Sequence, residues 1–227
     1  MSDIRNDSRH QVAVPENDSR HRVAQIAVLI SGRGSNLQAI LDAIAAKRLD
    51  AAIAIVVSNR AEAAGLTRAR NAGVETAAVN PSDYRGRAAY DRALVEILRA
   101  RNVDLICLAG YMRLVGAPLL DAFPNRILNV HPSLLPAFPG LDAQRQAFDH
   151  GVRVSGATVH FVTAGLDDGP IVLQAAVPVL DDDTAETLAA RILTEEHRIY
   201  PQAIQLVLAG GWSIDGRRVV RRPPAEV

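Results

Sequence analysis

The chain has 227 residues, 48% of them hydrophobic and 22% charged, which is typical of a globular protein with a sizeable core. This composition argues against disorder of the whole chain and favours one α/β domain. Since 25 basic and 25 acidic side chains cancel, composition gives no electrostatic reason to expect a nucleic-acid or membrane surface.

The single cysteine and the absence of long apolar runs limit the possibilities further. Cys107 lies in an apolar stretch, where a buried small hydrophobe is expected rather than a reactive thiol. One cysteine supports neither a disulfide framework nor a zinc site. The first residues do not form the apolar stretch of a signal peptide, and no apolar run approaches the roughly 20 residues of a membrane span. A cytoplasmic location is therefore expected.

The first 22 residues are polar and contain a near-duplicate, because the string Asn-Asp-Ser-Arg-His at 6–10 recurs at 17–21. The paired His10 and His21 suggest metal binding as one interpretation. Composition favours a solvated, disordered tail. We therefore assign residues 1–22 to a tail and residues 23–227 to one folded domain.

From Ala24 onward, short runs rich in Ile and Val alternate with stretches of helical period. Predicted strands cover 24–31, 52–58, 75–79, 104–109 and 126–130. Predicted helices cover 35–47, 62–71, 86–101 and 116–122. Strand and helix in alternation predict an α/β fold with a mostly parallel twisted sheet and helices on both faces.

The alternation stops after Asn129. Residues 131–142 contain Pro132, Pro136 and Pro139, which predicts an irregular loop, and we expect the whole 132–150 stretch to be loop. Two further strands are predicted near 153–162 and 170–178, followed by a helix from about 184 to 209. Residues 212–220 predict a small C-terminal hairpin turning at Asp215-Gly216.

A glycine-containing turn follows the first strand, in the string Ser-Gly-Arg-Gly-Ser-Asn at 31–36. Glycines let the backbone approach a ligand, and the N-terminus of the next helix offers free N–H groups to an anion. A phosphate site is one interpretation, and a tight βα turn without a ligand is an equally good one.

Asn129 and His131 lie at the carboxyl end of a predicted parallel strand, where open α/β sheets bind ligands. Because side chains alternate along a strand, both residues face the same side. An amide and an imidazole therefore converge on one region. By itself His131 could be a structural histidine, but its pairing with Asn129 and the proline-rich loop after it favour chemistry.

Asp167 lies in the turn Leu-Asp-Asp-Gly-Pro at 166–170. Aspartate in a turn usually bonds its own backbone. If the turn approached His131, its carboxylate would orient the imidazole and favour the protonated ring. The pattern alone leaves this approach open.

Four stretches together resemble the phosphoribosylglycinamide formyltransferase family of purine biosynthesis, in consistent order over about residues 24–208. They are the turn at 31–37, the Leu-Ala-Gly-Tyr-Met-Arg string at 108–113, the Asn-Val-His-Pro-Ser-Leu-Leu-Pro string at 129–136 with Phe-Pro-Gly-Leu at 138–141, and the 166–170 turn. The Asn-x-His-Pro string is typical of formyltransferases and formyl-folate hydrolases generally, and Phe-Pro-Gly-Leu points to the glycinamide member.

This resemblance implies a Rossmann-like fold and two small-molecule substrates, the formyl donor 10-formyltetrahydrofolate and the acceptor glycinamide ribonucleotide, with no metal. It implies a catalytic set of Asn129, His131 and Asp167. The positions that match substrate contacts are Gly34, Ser35, Asn36, Leu37 and Glu196. Those that match folate contacts are Arg87, Met112, Arg113, Leu114, Val115, Asn129, Thr163, Ala164, Gly165, Leu166 and Asp167. Without the resemblance, Arg87 and Glu196 would be ordinary helix charges and Met112 a core residue.

The implied reaction is direct transfer without a covalent intermediate. The acceptor amine attacks the formyl carbon, and Asn129 and protonated His131 stabilise the charge that develops on the formyl oxygen. Asp167 would raise the pKa of the imidazole and assist the proton transfer from the amine to the departing folate nitrogen.

The chain departs from the family pattern at four positions. Ala137 replaces a frequent basic residue, Asp142 and Gln144 replace histidines of some relatives, and Leu193 replaces a frequent polar residue. These changes are expected to affect substrate affinity and the details of the 132–150 loop, and they leave the catalytic set unchanged.

Three other functions remain open on sequence. A formyl-folate hydrolase uses the same three residues on water but usually carries an extra N-terminal domain. A methionyl-tRNA formyltransferase needs a nucleic-acid-binding domain, and the chain has no basic excess. A nucleotide-binding module would keep the glycine turn and the sheet without chemistry. We expect no nucleic-acid or membrane partner, and a homodimer is compatible with the sequence.

Overall fold

A computed structural model describes residues 22–221 of the chain. The predicted tail at 1–22 and its two histidines lie outside the described residues except for Arg22. The strands are β1 (Ala24–Ile30), β2 (Ala51–Ser58), β3 (Thr76–Ala78), β4 (Leu105–Leu108), β5 (Ile127–His131), β6 (Val154–Phe161), β7 (Ile171–Pro178), β8 (Trp212–Asp215) and β9 (Arg218–Arg221). The helices are α1 (Ser35–Ala45), α2 (Ala64–Asn71), α3 (Arg87–Arg99), α4 (Ala117–Ala122), α5 (Ala143–Asp149) and α6 (Ala185–Ala209), with a 3-10 turn at Pro81–Asp83.

The strands form one nine-stranded sheet in the order β3-β2-β1-β4-β5-β6-β7-β9-β8. The first five strands of this order pair in parallel. β6 and β7 continue the sheet antiparallel, and the β8–β9 hairpin closes its edge. The predicted α/β fold with a mostly parallel sheet, a C-terminal helix and a hairpin is confirmed.

Helices cover both faces of the sheet and give the protein two apolar layers. One layer packs α1, α2 and α6 against alternating strand residues such as Val28 and Leu128. The other packs α3 and α4 against the intervening residues, among them Leu29 and Ile127. Strands buried on both sides explain the continuous apolar runs in the sequence.

The expectation of a loop throughout 132–150 was wrong at its end, because α5 occupies 143–149. Ala143 and Ala147 are four residues apart and fully buried, so this short helix is stabilised by packing against α6. The preceding prolines obscured a helix that tertiary contacts support.

The order of the parallel strands reverses between β1 and β4, so the segments after these two strands diverge and leave a crevice at the carboxyl edge of the sheet. Ser31, the first residue after β1, connects the two sides. Its backbone N–H donates to the Gly110 carbonyl at 3.2 Å, and its Oγ accepts from the Met112 N–H at 2.8 Å. The two segments are therefore fixed relative to each other.

Candidate active site

β5 places Asn129 and His131 on one face of the sheet. Leu128 and Val130 lie in the opposite apolar layer, as strand alternation requires. His131 is buried, and Asn129 is partly exposed. The predicted convergence of an amide and an imidazole is present in the structure.

Both ring nitrogens of His131 face oxygen atoms. Nε2 lies 2.8 Å from the Phe138 carbonyl, and Nδ1 lies 3.4 Å from Oδ2 of Asp167. An imidazole with an acceptor at each nitrogen is best satisfied when both nitrogens carry hydrogen. His131 is therefore held between two oxygen acceptors, one from the loop after β5 and one from the loop after β6.

Asp167 reaches His131 because its loop folds back over β5 and β6. The residue has a left-handed backbone with φ of 50°, and its side chain is 13% exposed. Its Oδ2 accepts a 2.8 Å hydrogen bond from the Gly140 N–H. The loop after β5 and the loop after β6 thus meet at this carboxylate, and the two residues that the sequence could not join lie side by side.

His160, which the sequence analysis missed, completes the cluster. It stands directly opposite Asn129 across the β5–β6 ladder, with Nε2 3.2 Å from the Asn129 amide nitrogen and 3.6 Å from Oδ1 of Asp167. Its Nδ1 donates to the Phe161 carbonyl at 2.9 Å. Burial lowers the pKa of His160, so the neutral ring accepts from Asn129 through Nε2.

The turn after β1 is packed so closely that glycine is required. Gly34 has φ of 72°, and a Cβ on it would lie 2.7 Å from Cα of Gly65 at the start of α2. The next residues, Ser35 and Asn36, begin α1. The predicted helix N-terminus is present beside the crevice, but the Leu37 side chain is fully buried in the core, so only its backbone can face a ligand.

Asn36 and Glu196 form a buried polar pair next to this turn. The Asn36 amide nitrogen donates to the Glu196 carboxylate at 2.7 Å, and both residues are under 10% exposed, at 7% and 6%. Asn36 Oδ1 is buried without a hydrogen-bond partner among the described residues. Burial raises the pKa of Glu196 from 4.5 to about 7. The pair therefore has unused hydrogen-bonding capacity of the kind that ribose hydroxyls would satisfy.

The residues predicted to bind folate lie in two loops and at the start of α3. Met112 and Leu114 are 60% and 57% exposed, and Leu166 in the second loop is 55% exposed. Such exposed large apolar side chains are suited to an aromatic ligand. Arg113 lies over the Tyr90 ring, 4.9 Å from its centroid, and Arg87 begins α3.

The rest of the predicted folate contacts border these features. Val115 packs against the second apolar layer, while Ala164 and Gly165 are exposed in the loop that carries Asp167. The Thr163 hydroxyl donates to Asp168 and so ties the two ends of that loop together.

Three of the four departures from the family pattern surround α5 and the loop before it. The Ala137 carbonyl accepts from the Ser133 hydroxyl at 2.6 Å. Asp142 precedes α5 with φ of 54°, and Gln144 lies in its first turn. Leu193, the fourth departure, is partly buried on α6, one turn before Glu196.

Within residues 22–221, no group of three or more His, Cys, Asp or Glu side chains is arranged to hold a metal ion. No helix in the same range is long and apolar enough to cross a membrane.

Residues 24–204 match the protein-family model described as formyl transferase. The phosphoribosylglycinamide formyltransferase of Escherichia coli is 45% identical over 192 residues, covering 85% of this chain and 88% of that protein. The trifunctional purine biosynthetic protein adenosine-3 of Bos taurus is 49% identical over 187 residues. That alignment covers 82% of this chain but only 18% of the bovine protein, so the chain spans a small part of the trifunctional relatives.

Solved structures give the same result. A glycinamide ribonucleotide transformylase from Symbiobacterium toebii is 61% identical with a TM-score of 0.88, covering 92% of this chain and 99% of that one. The phosphoribosylglycinamide formyltransferase of Brucella melitensis is 48% identical with a TM-score of 0.79, covering 83% and 97% of the two chains.

Proposed function

The chain belongs to the formyl transferase family, and on this premise we propose that it transfers the formyl group of 10-formyltetrahydrofolate to the amine of glycinamide ribonucleotide, in purine biosynthesis. The observation that carries the proposal is the cluster of Asn129, His131, Asp167 and His160 at the carboxyl end of β5. The relatives that this chain nearly spans in full carry the same activity in their names.

Asn129 and His131 supply the electrophilic side of the reaction. When the amine attacks the formyl carbon, negative charge develops on the formyl oxygen, and donors fixed in advance stabilise it. One amide hydrogen of Asn129 is directed at His160, so the other is free for that oxygen. Nε2 of His131 contacts the Phe138 carbonyl, and the proposal requires that it exchange this contact for the formyl oxygen when the donor binds.

Asp167 acts on charge and proton transfer. Its carboxylate stabilises the imidazolium of His131 from 3.4 Å. It also stands where a proton released by the attacking amine could pass, through water, to the departing folate nitrogen. The reaction so described needs no covalent intermediate.

The acceptor binds at the turn after β1. Its phosphate is held by the backbone at the start of α1, which comprises Gly34, Ser35, Asn36 and Leu37. Asn36 Oδ1 and Glu196, which lie together below this turn, take the ribose hydroxyls.

The donor binds between the loop after β4 and the loop after β6, the two strands that flank β5 in the sheet. Met112, Leu114 and Leu166 contact the aromatic part of the folate, and Arg87 and Arg113 face its carboxylates. Residues 163–167 enclose the pteridine. This arrangement brings the formyl group to Asn129 between the two ligands.

The proposal includes a cytoplasmic, metal-independent enzyme whose partners are its small-molecule substrates, with a folded domain over 23–227. A homodimer is compatible with it.

Tetrahydrofolate production by the full chain, measured with and without glycinamide ribonucleotide, tests the function. The proposal requires production that depends on the acceptor, with one formylated acceptor formed per donor consumed. Formate release without acceptor would instead indicate a formyl-folate hydrolase. Binding of both ligands without turnover would indicate a module that binds nucleotides only.

A further inference from the structure

The first turns of α3 support the loop that carries Met112–Val115, and the proposed function uses only Arg87 of these turns. Tyr90 and Asp91 face the loop and are 1% and 2% exposed. The Tyr90 hydroxyl lies 2.9 Å from that of Tyr111, which directly precedes the loop. α3 therefore supports the Met112–Val115 loop through side chains that are buried under it.

Asp91 makes the closest of these contacts. Its Oδ2 accepts a 2.7 Å hydrogen bond from the N–H of Gly116, where the loop ends and α4 begins. A Cβ on Gly116 would lie 2.5 Å from this oxygen and 3.1 Å from Cδ of Arg87. Helix and loop are thus packed together at a position where a side chain does not fit.

Two cations offset part of the cost of burying the charge of Asp91, whose pKa stays above its usual value. Burial raises the pKa of this carboxyl, while the Gly116 N–H and the positive charges of Arg87 and Arg113 lower it. Neither arginine forms an ion pair or a side-chain hydrogen bond within the described part of the chain. Both positive charges therefore act on the buried carboxyl of Asp91 without a direct ion pair, and no other side-chain acceptor among the described residues engages either guanidinium group.

We propose that Asp91 is a positioning residue for the formyl-folate, which holds Arg87 and Arg113 so that both face the glutamyl carboxylates of this ligand. The inference rests on the proposed function, because it concerns the donor of the same reaction. Asp91 acts in two ways. Its hydrogen bond fixes the end of the loop, and its negative charge offsets the repulsion between two cations on the same side of the cleft.

Two variants separate these contributions. Asp91→Asn keeps an oxygen acceptor for the Gly116 N–H and nearly the same volume but removes the charge, whereas Asp91→Ala removes both. Glu96→Gln is the matched control, since it removes one negative charge from an exposed position on the same helix. Thermal unfolding of each variant reports whether the fold is intact.

Equilibrium binding of tetrahydrofolate and of tetrahydropteroate, which lacks the glutamyl group, provides the test. We expect Asp91→Asn to weaken tetrahydrofolate binding by about tenfold, corresponding to about 1.4 kcal/mol, and to leave tetrahydropteroate binding within twofold. In steady-state assays of Asp91→Asn, KM for the formyl donor should rise, while kcat and KM for glycinamide ribonucleotide should stay within threefold of the wild-type values. Asp91→Ala should be more severe, and Glu96→Gln should match the wild type.

Wild-type or tighter binding of tetrahydrofolate by a folded Asp91→Asn variant would overturn the proposal, because only a structural hydrogen bond would then remain. An equal loss for both ligands would overturn it too, since the effect would not involve the glutamyl carboxylates. Failure of the proposed function is a separate result, seen as a wild-type chain that does not bind tetrahydrofolate or does not transfer its formyl group.

Discussion

Asn129 and His160 face each other across the antiparallel β5–β6 ladder, with the amide nitrogen of one 3.2 Å from Nε2 of the other. The His160 ring is turned by its own Nδ1 bond to the Phe161 carbonyl, so its free lone pair meets the amide. This contact fixes which end of the Asn129 amide is the donor end in the cleft.

Replacing His160 should therefore reduce turnover through Asn129. We expect His160→Ala to lower kcat by about fivefold, as an ordinary lost hydrogen bond of about 1 kcal/mol predicts, with both KM values little changed. His160→Gln should recover part of the loss because its carbonyl oxygen can accept from the same amide. Steady-state kinetics of both variants measure this, and equal losses in the two would argue against a role in orientation.

The loss of Asn129 itself should be more severe. Asn129→Ala removes a donor aimed at the developing oxyanion, and such losses typically lower kcat by roughly 100- to 1000-fold. Single-turnover rates with both substrates saturating measure the effect on chemistry alone. Asn71→Ala, at an exposed position on α2, is the matched control and should keep the wild-type rate. A tenfold or smaller loss in Asn129→Ala would mean that another group stabilises the oxyanion.

The buried carboxyl of Glu196 predicts a dependence of stability on pH. Because its pKa is about 7 in the folded protein and near 4.5 when exposed, the folded state binds the proton more tightly. Its contribution to stability is therefore present below pH 4.5 and is lost as pH rises towards 7. Integration over this shift gives about 3 kcal/mol.

Glu196→Gln removes this titration. Urea unfolding at pH 5 and pH 8 should show a variant close to the wild type at the lower pH and more stable at the higher one. Glu62→Gln, at an exposed position, should change neither. The same Glu196 variant should bind glycinamide ribonucleotide more weakly, which separates its role in binding from its cost in stability. A difference between variant and wild type that does not vary with pH would contradict the raised pKa.

Two glycines with the same backbone conformation test the packing of the turn after β1, where the phosphate is proposed to bind. Gly34 and Gly73 both have φ of 72°, but a Cβ on Gly34 meets Gly65 at 2.7 Å while one on Gly73 meets nothing within 4 Å. Gly73→Ala should lower the free energy of unfolding by about 1 kcal/mol from the left-handed backbone alone. Gly34→Ala should lower it further and weaken binding of the acceptor. Equal destabilisation by the two would show that the turn relaxes freely.

The sequence predicted the order and type of nearly every element, because buried strands and amphipathic helices have local patterns. Strand alternation alone placed Asn129 and His131 on one face. Asp167 joins them through a left-handed backbone and the Gly140 N–H of another loop, and neither has a local signal, so only the family resemblance linked it to the set.

His160 and α5 were missed for related reasons. His160 faces Asn129 only in the antiparallel register of β5 and β6, which the sequence does not encode locally. The alternation in β6, where Val159 and Phe161 are core residues, could have shown that His160 lies on the other face. α5 follows a proline-rich segment, and its burial against α6 depends on the completed fold.

The single-turnover rate of an Asp167→Asn variant, with both substrates saturating, tests the proposed catalytic set most directly. Asparagine keeps the shape of the side chain but removes the charge 3.4 Å from His131, so the rate should fall by at least about 100-fold while dissociation constants for both ligands change little. Asp50→Asn, at an exposed position, should behave as the wild type. A comparable rate in the two variants would contradict the role of Asp167 and, with it, the proposed mechanism.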